Sequence, residues 1–316
     1  MALTILQMVN RAETELGLEE SSTVFGASPS LTAKQMGALA NRTLDELRRM
    51  NRWTVLQFEY NIVVDTPLIT TGDMAANSAV ITNIPNTSTL AANFWAVSGD
   101  SIPTAARILS VDSLTQVTMT MENTSTSAVT GATITFAKDM YPLPSDFDYY
   151  NNQTMWDRTN DWSLVGPDSP QFDQALRSGI TPLAPRRRWR QLGPYANRFR
   201  IWPPPIEITS PAQLVFEYLS ENSVNVTGAG TSFAKYFTAD SDTCLLDDDA
   251  LITGIKWMFW EIKGMGSYVT LQNRWIDYIN RLAARDAGAP KLNMSRRPVS
   301  HLISSDNVQD GNFPSS

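Results

Sequence analysis

Between residues 72 and 137 the chain changes character. Twenty of these 66 residues are Ser or Thr, and only Asp73, Asp100, Arg107, Asp112 and Glu122 carry charge. Short β-prone runs at 79–82, 94–97, 107–111, 116–121 and 132–136 recur with turn residues between them. That spacing argues against a low-complexity linker and predicts a small all-β sandwich or barrel with its own core. Such an insert divides the rest of the chain. Residues 1–71 and 138–287 become two halves of one main domain, and 288–316 a polar, Pro-containing extended arm.

The main domain reads as mixed. Ile5, Met8, Val9, Ala12 and Leu16 fall three and four apart, one apolar helix face that Gly17 can end. A longer stripe through Met36, Leu47, Met50 and Trp53 predicts a second helix over 31–56, packed on the first as a hairpin. Phe58, Tyr60, Ile62 and Val64 switch to period two, a strand. Ser169-Pro170 opens a short helix running to Gly179; 185–203 reads as a hairpin and 213–220 as an alternating strand. Asp247-Asp248-Asp249 precedes a helix with Leu251, Ile255, Met258 and Ile262, and Tyr268, Leu271, Trp275, Ile279 and Leu282 mark another. The expected class is therefore α+β: a helical bundle of two N-terminal and two C-terminal helices with a small mixed or antiparallel sheet, plus the inserted β domain.

Chemistry-bearing motifs are sparse. Thirty-two acids against 25 bases give a net charge of -7, the reverse of the usual balance in proteins that wrap nucleic acid. One cysteine, Cys244, excludes an internal disulfide framework, and one histidine, His301, excludes a paired-His metal site. His301 lies in the polar arm, a poor setting for a catalytic base, and Cys244 beside Leu245 and Leu246 reads as a small buried apolar residue. No phosphate-binding glycine loop is present. Asp240, Asp242, Asp247, Asp248 and Asp249 do not fit an EF-hand, since Leu245 stands where its turn glycine belongs. Helix capping accounts for the last three. The expectation is a chain without catalytic activity, cofactor or metal. The N-terminus has no basic lead-in to an apolar run, and the longest apolar cluster, 255–262, holds Lys256 and Glu261. That predicts neither export nor membrane insertion, and so assembly in a cytoplasm.

Two features point outward. Arg186, Arg187, Arg188, Arg190, Arg198 and Arg200 lie within fifteen residues that contain no acid, interleaved with Trp189, Tyr195, Phe199 and Trp202. Arginine among aromatics suits a protein interface or intrachain pairing, a solvated sheet face, or nucleic acid. Trp257 and Trp260 lie off the Ile255–Met258–Ile262 stripe, so that helix needs two neighbours, from its own core or from another subunit.

An ordered set of stretches resembles the head-to-tail adaptor (head completion) proteins of short-tailed bacteriophages. It comprises Leu3-Thr4-Ile5-Leu6-Gln7 with Glu15-Leu16-Gly17-Leu18, Leu39-Ala40-Asn41 with Asp45-Glu46-Leu47-Arg48-Arg49, and Trp53. Tyr141-Pro142-Leu143-Pro144-Ser145-Asp146-Phe147, Trp156-Asp157-Arg158-Thr159 and Gly166-Pro167-Asp168-Ser169-Pro170 follow. Phe216-Glu217-Tyr218, Ile252-Thr253-Gly254-Ile255-Lys256-Trp257 and Lys263-Gly264 complete it. Val97-Ser98-Gly99-Asp100-Ser101-Ile102-Pro103 is similar to Ser/Thr-rich β modules of phage structural proteins, though many adaptors lack such an insert.

The resemblance implies a virion component at the head–tail interface: a dodecameric ring beneath the portal vertex, touching portal protein and tail, nozzle or fibre proteins. Its acidic channel would let DNA slide through without sticking. In such a ring the arm would meet the portal through Lys291, Arg296, Arg297, Leu302 and Ile303. The arginine–aromatic hairpin, with Trp257 and Trp260, would serve subunit or tail contacts. The competing expectation is a phage DNA-binding or tail-associated enzymatic protein.

Overall fold

Side chains next to four of the five described α-helix starts fix where those helices begin. In the computed structural model, which describes residues 2–178, 186–193, 197–208, 211–228 and 230–286, α1 (Ile5–Leu16) opens on a reciprocal cap. The Thr4 hydroxyl accepts from the Gln7 amide at 3.3 Å, and the Gln7 side chain accepts from the Thr4 amide at 3.0 Å. It closes at Gly17, whose φ of 73° is the left-handed turn that glycine makes without a Cβ clash. Ser30 caps α2 (Leu31–Met50), Ser169 caps α3 (Pro170–Arg177) with proline in its first turn, and Asp247 caps α4 (Asp248–Ile262) through the Ala250 amide at 2.8 Å. The last helix is α5 (Tyr268–Asp286).

α2 stops six residues short of the expected end at 56. The Trp53 indole N–H takes the Leu47 carbonyl at 2.7 Å, satisfying one terminal acceptor, and Thr54–Leu56 form a separate 3-10 turn.

The balance of helix and strand corrects the expected class. Among the described residues there are seventeen strands in four antiparallel sheets and five α-helices, a mostly β chain rather than a helical bundle with a small sheet. Many strands are too short to show a period: Trp156–Asp157, Trp162–Ser163, Val224–Asn225, Phe233–Ala234 and Thr243–Cys244 have two residues each. Leu214–Ser220 does not alternate at all, since every residue except Glu217 is buried. A strand covered on both faces loses the period-two signal.

The chain divides into two compact units. The first takes residues 2–58, 146–151 and 217–286. Its core gathers Ile5 and Met8 of α1, Met36 and Leu44 of α2, Leu251 and Ile255 of α4, and Trp275 and Ile279 of α5. The Trp275 indole donates to the Ala250 carbonyl at 2.8 Å, so this ring leaves no orphan donor in the core. Gly254 lies where a Cβ would stand 2.2 Å from Thr43 Cγ2 and 3.0 Å from Trp275 Nε1; only glycine admits this approach of α2 and α5 to α4. A small sheet centred on Val224–Asn225 is tied by Asp242, which accepts from the Thr227, Thr238 and Ala239 amides at 2.9–3.1 Å. In the same unit Phe147–Tyr150 pairs antiparallel with the end of Leu214–Ser220 in the register Tyr218↔Tyr150 and Leu219↔Tyr149.

The second unit takes 59–145 and 152–216. Its largest sheet has six strands in the order Trp95–Gly99, Val129–Lys138, Leu68–Met74, Val80–Thr82, Gln116–Met119, Ile108–Ser113. The two end strands meet again through an antiparallel bridge from Ala96 to Arg107, with the Val97 amide on the Ala106 carbonyl at 2.9 Å, which brings the sheet round on itself. Met74, Ile81, Trp95, Val117, Ile134 and Phe136 fill its interior. A three-stranded sheet of Arg188–Leu192, Arg198–Trp202 and Met140–Pro142 carries the arginine-rich hairpin.

Candidate functional site: an arginine–carboxylate network

The hairpin register explains what its arginines do. Arg190 lies directly opposite Arg200, and Trp189 opposite Ile201. Alternation turns Trp189, Phe199 and Ile201 to one face, all nearly inaccessible, with the Trp189 and Phe199 rings edge to face at 5.4 Å. Arg188, Arg190 and Arg200 take the other face. Two like charges directly opposite would repel. Asp173, buried in α3, separates them: its Oδ2 accepts from Arg200 Nη1 at 2.9 Å and lies 3.2 Å from Arg190 Nη1.

The network extends in both directions. Arg200 Nε stands 3.8 Å from Asp139, a fully buried carboxylate that also takes Arg107 Nη2 at 2.7 Å. Arg107 donates further to the Asn93 carbonyl at 2.6 Å. Arg177 reaches the Ala105 carbonyl at 3.1 Å and lies 5.7 Å over the Trp202 ring. Arg188 holds Asp168 by two parallel hydrogen bonds, and Arg187 contacts both Asp157 and Glu207. Arg198 lies 4.4 Å over the Phe94 ring, and Arg186 is likewise engaged.

The arginines singled out in the sequence are thus brought together, and their partners are the residues that sequence reading missed. Asp139, Asp157, Asp168, Asp173 and Glu207 all lie outside the fifteen-residue window, and Arg107 and Arg177 were not grouped with it. No local signal links them; only the strand register and the placement of α3 do. Trp257 is 3% exposed and packs on Trp275 at 5.5 Å, in the core that α1, α2 and α5 share with α4; Trp260 is half-buried against that core. Lys291, Arg296, Arg297, Leu302, Ile303 and His301 lie outside the described residues, as does the whole of 288–316.

Burial pushes the Cys244 thiol up to about 12, far from a nucleophile's range. Asp240 accepts from the Thr23 hydroxyl and the Val24 and Phe25 amides, so that carboxylate and Asp242 tie loops together. Among the described residues no group of three or more His, Cys, Asp or Glu side chains could hold a metal, and no helix is long and apolar enough to cross a membrane. A cleft of about 500 Å³ in the second unit is crossed by the Lys138–Asp65 ion pair, 2.5 Å, beside Phe94 and Trp95.

No family model matches the chain, and no curated protein matches it by sequence.

Proposed function

We propose that this chain is a structural virion protein, a head-to-tail adaptor that assembles into a dodecameric ring, joins the portal vertex to the tail and lines the DNA channel. The observation that carries this reading is the meeting of two stretches of the adaptor resemblance. The Tyr218 hydroxyl donates to Asp146 Oδ1 at 3.0 Å, the Ser220 hydroxyl to Oδ2 at 2.6 Å, and the Glu221 amide to the Asp146 carbonyl at 2.7 Å. Residues 72 positions apart, each within a resembling stretch, therefore support one another. Other resembling positions, Gly17, Trp53, Asp168 and Gly254, likewise sit at caps, ion pairs and close contacts.

The second reading, a DNA-binding protein, would draw on the arginine cluster. Arg187, Arg188, Arg190 and Arg200 each contact a carboxylate of the same chain, and the net charge is -7. A ring of such chains would repel the DNA that passes through it, which is what a conduit needs. Negative-stain microscopy of the purified protein tests the proposal: rings are expected. A salt-sensitive shift of duplex DNA by a monomer would favour the binder instead.

A further inference from the structure

The charges around Asp173 do not balance. Arg107, Arg190 and Arg200 share two carboxylates, Asp139 and Asp173. Arg177 lies within electrostatic reach of both but pairs with neither; its contacts are the Ala105 carbonyl and the Trp202 ring. The side chains of Arg107, Arg190 and Arg200 are 12%, 19% and 10% exposed, so bulk water screens the repulsion poorly. The Nε atoms of Arg107 and Arg177 are buried with no hydrogen-bond partner, while Arg200 Nε and Asp139 Oδ2 face each other at 3.8 Å, beyond hydrogen-bond distance. Unpaired guanidinium N–H groups in a largely dry site are costly. Burial makes Arg107 and Arg177 harder to keep charged, and the neighbouring charge of Arg200 adds to this in both. Further along the hairpin the imbalance reverses, with Arg187 alone against Asp157 and Glu207. The surplus of positive charge is thus local to the Asp173 end.

We propose that the Arg107–Arg177–Arg190–Arg200 cluster is a binding site for a small tetrahedral oxyanion, with phosphate as its representative. A dianion there would offset the two excess charges, and its several acceptor oxygens would engage the guanidinium N–H groups that the two carboxylates leave over. The site requires no ring, so it stands or falls apart from the adaptor reading.

Calorimetric titration of the full chain with inorganic phosphate, in sodium chloride of matched ionic strength, tests this. One site per chain is expected, with binding at least tenfold weaker in Arg177→Gln, which keeps a donor for the Ala105 carbonyl but removes the charge. Arg190→Gln is the second variant, since Arg200 still pairs with Asp173 there, and the same weakening is expected. Circular dichroism establishes that each variant is folded before titration. No phosphate heat with the wild-type chain would overturn the proposal. So would equal binding by wild type and both folded variants. Binding of a short single-stranded oligonucleotide but not of free phosphate would also overturn it, in favour of a nucleic-acid surface.

Discussion

Arg188 and Asp168 form a two-point ion pair, Nε to Oδ2 at 2.8 Å and Nη2 to Oδ1 at 2.9 Å, with the carboxylate only 8% exposed. The pair joins the arginine hairpin to the residue just before the Ser169 cap of α3. Removing the cation would strand a nearly buried carboxylate, a loss of about 3–5 kcal/mol. Arg188→Met should lower stability by that order in urea unfolding. Arg188→Lys should fall between the two, because the ammonium keeps the charge but not the fork. The double variant Arg188→Met, Asp168→Asn should lose clearly less than the two single losses combined. Wild-type stability in Arg188→Met would show the pair to be incidental.

Gly254 offers a test of sign. In an exposed helix, replacing glycine by alanine gains up to ~1 kcal/mol. Here the new methyl would stand 2.2 Å from Thr43 Cγ2, inside the packed contact with α2. Overpacking of this kind costs about 1–3 kcal/mol. Gly254→Ala should therefore destabilise the first unit, as read by its denaturant midpoint, and a Thr43→Ser background should relieve part of the loss. A stabilised Gly254→Ala would refute the close approach.

Asp242 sets an acid limit. Burial alone would raise its carboxyl, but the Thr238, Thr227 and Ala239 amides outweigh burial and hold it below the ordinary value of 3.8. A depressed folded value means that its stabilisation is present above pH 3.8 and disappears as pH falls through the still lower folded value. Asp242→Asn should lose about 1–3 kcal/mol at neutral pH, since one of its atoms can no longer accept. The gap to wild type should close as pH falls below 3.8 and through the depressed folded value. Chemical denaturation at a series of pH values reads this; a gap that widens in acid would contradict the sign.

The sequence made some helix ends legible because their determinants are adjacent: Gly17 after α1, Ser169-Pro170 at α3 and Asp247 before α4, whereas the end of α2, expected at 56, is at Met50. The arginine cluster was visible for the same reason. Its meaning was not, because Asp139 reaches Arg200 through the pairing of Met140–Pro142 with Arg198–Trp202, and Asp173 through the placement of α3. The preponderance of strand was hidden for two reasons. Two-residue strands carry no period, and Leu214–Ser220, buried at six of seven positions, lacks the alternation that marks a half-exposed strand. Likewise Leu68–Met74 pairs with Val129–Lys138, from Met74↔Val129 to Leu68↔Phe136, a contact set by folding and not by any local motif.

The ring itself is tested most directly by weighing it. Mass photometry of the full-length protein, alone and mixed with assembled portal, should show portal particles gaining the mass of about twelve 35.1 kDa chains. Portal particles of unchanged mass beside a free monomer would contradict the adaptor account.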